Sequence, residues 1–119
     1  MTTVQLAENQ LRAAVLAAVR AAIAAGELPE AELPEYRIEV PADRQHGDLA
    51  ANVAMVSARA LRKAPRQIAE SIVSHLSLDG TYLAKAEVAG PGFLNFFLSP
   101  AYYGAAVAEN IHRVDIHSL

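Results

Sequence analysis

Apolar residues recur at helical spacing through the first quarter of the chain. Leu11, Val15, Leu16, Val19 and Ile23 form one stripe in an alanine-rich stretch, which predicts a helix over 6–25 stopped by Gly26. Residues 27–35 carry two prolines and several glutamates and read as a connector. Tyr36 to Val40 then alternates apolar and charged positions, the pattern of a half-buried strand, and Pro41 ends it. A polar loop, Ala42 to Gly47, leads to Asp48, which is placed to cap a helix whose stripe is Leu49, Val53, Val56 and Ala60. Pro65 suits the first position of a further helix lined by Ile68, Ile72 and Leu76, with Val73 alongside. After the Asp79-Gly80 turn, Tyr82 to Val88 reads as a strand with Ala84, Ala86 and Val88 on one face and Lys85 and Glu87 on the other.

Gly90-Pro91-Gly92 is a turn signal, and the six residues after it, rich in aromatic and aliphatic side chains, read as a strand paired antiparallel with the one before. Leu94, Phe96 and Leu98 share one face of it, and Phe93, Asn95 and Phe97 share the other. Ser99 and Pro100 open a last helix with the stripe Tyr103, Val107 and Ile111. The order α-β-α-α-β-β-α implies an α+β fold: a small, largely antiparallel sheet with helices packed on one face and the other face at least partly open. The wholly apolar face of the last strand belongs to the core. The other face sets aromatics beside a carboxamide, and that is where function is sought.

Length adds that 1–119 is a single domain, large enough to bury a core without covalent staples. Cysteine is absent, so there is no disulfide framework and no thiolate metal site. The longest apolar run near the N-terminus, Ala13 to Val19, is too short to span a membrane, and the start lacks a basic segment followed by a long apolar one. A cytoplasmic protein is expected, with no membrane partner.

The net charge of −3 argues mildly against a dedicated nucleic-acid binder, but its distribution is uneven. No acidic residue lies between Asp48 and Glu70, where Arg59, Arg62, Lys63 and Arg66 all fall, while Glu27, Glu30, Glu32, Glu35 and Glu39 gather earlier. With Arg44, these cations form a candidate electrostatic footprint, or an ordinary solvated surface.

Candidate chemistry is sparse. His46 and Asp48 have the types of a base and its orienter, but no serine or cysteine nucleophile is near in sequence, and capping is a sufficient task for Asp48. Of the four histidines only His112 and His117 are close, at an unfavourable spacing for a metal. Gly90 and Gly92 precede a strand instead of opening a helix, so they are no dinucleotide fingerprint. No catalytic, metal or cofactor site is expected. Two classes fit: an RNA-binding module using the aromatic and amide on the sheet, and a protein-interaction or scaffolding domain docking through the same open face.

Two stretches discriminate between them. Residues 40–55, Val-Pro-Ala-Asp-Arg-Gln-His-Gly-Asp-Leu-Ala-Ala-Asn-Val-Ala-Met, and residues 89–98, Ala-Gly-Pro-Gly-Phe-Leu-Asn-Phe-Phe-Leu, together resemble the N-terminal additional domain of arginyl-tRNA synthetases. Residues 64–70 resemble the entry to that domain's third helix, and the likeness runs from about Leu6 to Ile111. The resemblance implies an α/β domain that contacts the tRNA elbow at the D-loop, with Phe93 and Asn95 at the positions where the family carries an aromatic and an amide against a protruding base. It implies the tRNA for arginine as partner, and no DNA. In the family a catalytic domain follows, activating arginine with ATP, and then a helical anticodon-binding domain. This chain carries neither of the two class I synthetase signatures, so it is either a fragment of the longer enzyme or a freestanding homologue; the fragment is expected, with ATP bound elsewhere in the parent and no cofactor here.

Overall fold

The computed structural model describes residues 2–108. Helix α1 (Thr3–Ala24) starts on a reciprocal cap: the Thr2 hydroxyl accepts from the Gln5 N–H at 3.2 Å, and the Gln5 side chain accepts from the Thr2 N–H at 2.9 Å. Its end is the expected one. Gly26 takes φ +81° and lets the Glu27 N–H reach back to the Ala22 carbonyl at 2.9 Å. Leu11, Val15 and Val19 are buried with Ala7, Ala18 and Ala22, whereas Leu16 faces outward. The connector is held to α1 by Arg12, whose guanidinium lies 4.9 Å from the Tyr36 ring centre and whose Nη1 donates to the Tyr36 carbonyl at 3.5 Å. Burial raises the Tyr36 phenol above its ordinary 10.0, with the Arg12 charge opposing.

Four antiparallel strands form one sheet in the order β1-β2-β4-β3: β1 (Ile38–Glu39), β2 (Leu49–Ala51), β3 (Leu83–Ala89) and β4 (Phe93–Leu98). Helices α2 (Val53–Leu61) and α3 (Pro65–His75) pack on each other and on β4, and α1 packs on α3. A last helix, α4, runs from 100 to the end of the described residues at 108. The α+β class, the antiparallel hairpin and the one-sided helical layer are as the pattern predicts. Leu94 and Phe96 are fully buried beneath the helices, joined by Val53, Leu61, Ile68 and Ile72.

Four local expectations are corrected. Leu49 opens a strand, not a helix, so Asp48 caps nothing; the helix begins at Val53 and its buried face is Val53, Ala54, Ser57 and Leu61, leaving Val56 and Ala60 outside. Asn52 stands at the N-cap, but its side-chain oxygen turns to the Arg37 N–H at 2.7 Å, tying α2 to the entry of β1. In β3 the register shifts between Leu83 and Lys85, so a bulge at Ala84 moves Leu83 to the core face and Ala84 to solvent. Helix α4 does start at Pro100, but the Ser99 hydroxyl is buried without a partner and only the Ser99 carbonyl contributes, accepting from the Tyr102 N–H at 3.0 Å. Tyr103 and Val107 point outward, while Tyr102 turns inward against Tyr82 with ring centres 6.0 Å apart. Ile111, His112 and His117 lie outside the described residues.

Candidate nucleic-acid interface

Strand β4 is the centre of the sheet's uncovered face. Asn95 lies between Ala50 of β2 and Glu87 of β3, and Phe93 lies opposite Ala89. The face is not flat. The loop after β1 folds back over it, so Asn95 is only 5% exposed, more enclosed than an open sheet face predicts. Its carboxamide makes no hydrogen bond to another described residue. A cavity of about 420 Å³ opens above it. Ala50, Phe93 and Asn95 form the floor; Pro41, Ala42 and His46 form one wall, and Ala89, Gly90 and Pro91 the other, with Glu39 at the β1 side. The small side chain of Ala50 leaves the space that a longer residue on β2 would fill.

Gly47 makes this closure possible. Its φ is +91°, and a Cβ there would lie 2.8 Å from the Phe96 carbonyl oxygen and 3.5 Å from Asn95 Cβ. The loop therefore reaches β4 backbone to backbone. Asp48 then anchors it three ways: its N–H donates to the Phe96 carbonyl at 2.8 Å, one carboxylate oxygen accepts from the Leu98 N–H at 2.9 Å, and the other accepts from the Tyr103 hydroxyl at 2.9 Å. Among the described residues neither oxygen is hydrogen-bonded to His46, so Asp48 serves as an anchor and not as its orienter.

Phe97 continues the row but is covered: the Lys85 ammonium sits 4.4 Å from its ring centre and pairs with Glu87 at 3.0 Å. The candidate cations are dispersed. Arg44 opens the short 3-10 turn Arg44–His46 in the loop that walls the cavity. Arg59 lies in the last turn of α2, and Arg62 sits at its C-cap with φ +54°; neither lines the cavity. Lys63 lines a separate groove with Glu27, Gln67 and Glu70. Arg66, in the first turn of α3, donates to the Gly90 carbonyl at 2.8 Å and so stands behind one wall. Of this set, Arg66 and the backbone of Arg44 stand beside the Phe93–Asn95 site.

Such a pocket offers a π-face from Phe93 and a carboxamide with both donor and acceptor, the complement of a flat heterocycle with a polar edge. The family described as "Arginyl tRNA synthetase N terminal domain" matches residues 9–98. The chain belongs to that family. Arginine–tRNA ligases of several bacteria share its sequence: that of Ruminiclostridium cellulolyticum is 42% identical over 114 residues, covering 91% of this chain and 20% of that protein. The ligase of Listeria monocytogenes serotype 4a is 50% identical over 96 residues, 80% of this chain and 17% of that protein. That of Syntrophotalea carbinolica is 41% identical over 109 residues. The chain thus spans about a fifth of the length of these curated relatives. Among the described residues no helix of this synthetase domain is long and apolar enough to cross a membrane, and no cluster of three or more acidic, histidine or cysteine side chains could hold a metal.

Sequence pattern alone places neither Glu39 nor His46 in the pocket. For His46 a signal exists in its position beside Gly47, whose missing side chain brings the loop down onto β4. Nothing local marks Glu39, which arrives through the short β1–β2 pairing.

Proposed function

We propose that this domain binds the tRNA for arginine at its elbow, seating an unpaired D-loop base in the cavity above Asn95. Phe93 stacks on the base and Asn95 reads its edge. The domain thereby serves the ATP-dependent attachment of arginine to tRNA by a catalytic domain of the same parent protein, in the cytoplasm. ATP belongs to that catalytic domain, and this one holds no cofactor. The observation that carries the reading is the Asn95 carboxamide, enclosed in the sheet with no hydrogen bond to another described residue, at the floor of an open cavity beside an aromatic ring. The carboxamide lines the cavity, so a ligand that enters can use both its donor and its acceptor. Membership of a synthetase domain family supports tRNA as that ligand.

The test uses the intact gene product and a transcript of the tRNA for arginine. Phe93→Ala is expected to weaken binding by about 1–3 kcal/mol, the worth of one stacked base. Asn95→Ala is expected to cost less overall but to blur discrimination when the D-loop base is varied. Of the cations, a residue that meets a phosphate lowers the salt slope by about one unit when neutralised, so Arg44, Arg59, Arg62 and Lys63 are each scored by that slope. If the Phe93 and Asn95 variants stay folded and bind tRNA as the wild type does, the pocket is not an RNA site and the same face is left to a protein partner.

A further inference from the structure

The wall made by Ala89, Gly90 and Pro91 is held from behind by the start of α3. Gly92 has φ +142°, and a Cβ there would lie 2.8 Å from Pro65 Cβ and 2.9 Å from the Pro65 carbonyl carbon. The hairpin turn therefore rests directly on the helix end. The next residue, Arg66, donates from Nη1 to the Gly90 carbonyl at 2.8 Å, while its Nε lies 3.4 Å from Glu70 Oε1 one helical turn on. The planar guanidinium lies beside Glu70 and presents one N–H to the turn. Gly90 has φ +54° with nothing within 4 Å of its missing side chain, so packing at that residue does not hold the turn in place.

We propose that Arg66 is a positioning residue for the base pocket, fixing the Gly90 turn and with it the wall beside Phe93, and does not act as a phosphate contact. The inference rests on the base-seating reading above. The guanidinium N–H nearest the turn is committed to the Gly90 carbonyl, and its removal loosens the Gly90 side of a turn that Gly92 and the Ala89–Phe93 pairing otherwise hold.

A double-mutant cycle on the intact gene product tests this, with Arg66→Met, Phe93→Ala, both together, and Arg66→Lys. Binding of the arginine tRNA transcript is measured across a salt series, and each variant's melting temperature is recorded. Arg66→Met is expected to weaken binding about three- to tenfold, as for loss of one charge-assisted hydrogen bond. The salt slope stays at the wild-type value. In the Phe93→Ala background the same substitution changes binding by less than about twofold, because both act through one pocket. Arg66→Lys keeps the charge but not the fork and loses binding as Arg66→Met does; it is also the variant that keeps the side chain's bulk if Arg66→Met melts early. The proposal is overturned if Arg66→Met lowers the salt slope by about one unit and adds fully to Phe93→Ala while Arg66→Lys binds normally. It is equally overturned if Arg66→Met is silent while Phe93→Ala weakens binding. Wild-type binding by both Phe93→Ala and Asn95→Ala would instead remove the base-seating reading, and this proposal with it.

Discussion

The two faces of strand β4 are built by opposite rules. On the helix side Leu94 and Phe96 are sealed beneath α2 and α3 in a mainly apolar core that also encloses the Ser57 hydroxyl. On the other side Phe93 and Asn95 are two residues apart on the same strand, but over them lies a cavity walled by a loop and a turn. One face is given to stability; the other keeps an enclosed carboxamide turned to a cavity. A single strand can do both because side chains alternate, so a substitution on one face need not disturb the other.

The sharpest way to break this division is Phe96→Ala, which leaves a large void in the sealed face. It should destabilise the fold by about 3–5 kcal/mol, read from urea unfolding, and lose tRNA binding only through unfolding. Gly47→Ala tests the seam between the faces. The methyl meets the Phe96 carbonyl at a forbidden distance on a left-handed backbone, so a cost of about 1–3 kcal/mol is expected. Because the loop must lift from Asn95, tRNA affinity should fall even in the molecules that remain folded.

Asp48→Ala sharpens the comparison further. It removes the acceptors for Leu98 and Tyr103, and about 1–2 kcal/mol of stability should go with them. Hydrogen exchange distinguishes this anchor from a helix cap: the Leu98 amide should lose protection, while the first-turn amides of α2 keep theirs. Tyr103→Phe should reproduce part of the loss.

The smallest effect is expected at Tyr36, which packs at the margin of the core beside Arg12. Its folded phenol holds its proton more tightly than the unfolded one does, so the contribution is full below pH 10. Stability should decline as pH rises above 10 through the folded value, and Tyr36→Phe should flatten that decline without altering tRNA binding at neutral pH.

Much was legible in the chain. The helix over 6–25, the hairpin about Gly90-Pro91-Gly92, and the division of Phe93, Asn95 and Phe97 from Leu94, Phe96 and Leu98 follow from periodicity and turn chemistry, which are local properties. Where local signals were ambiguous they misled. Leu49 to Ala51 is short and alanine-rich, and Leu49 and Val53 happen to stand one helical turn apart, so a strand that exists only by pairing with β4 read as the start of a helix. The Ala84 bulge was equally hidden, since an extra residue in β3 is defined by its partner strand.

What the sequence determined by itself was the α+β class, from the order of its periodic segments, the shared strand face of Phe93 and Asn95, from alternation, and the family, through the resemblance of residues 40–55 and 89–98. The tertiary structure alone decided that Asn95 is enclosed, that Asp48 anchors β4 and α4, and that Glu39 and His46 meet over the same floor. It also set Lys85 over Phe97 and Arg66 behind Gly90. These depend on which backbones approach closely in space, and that approach is set by cross-strand register and by Gly47 and Gly92 lacking a side chain against β4 and Pro65.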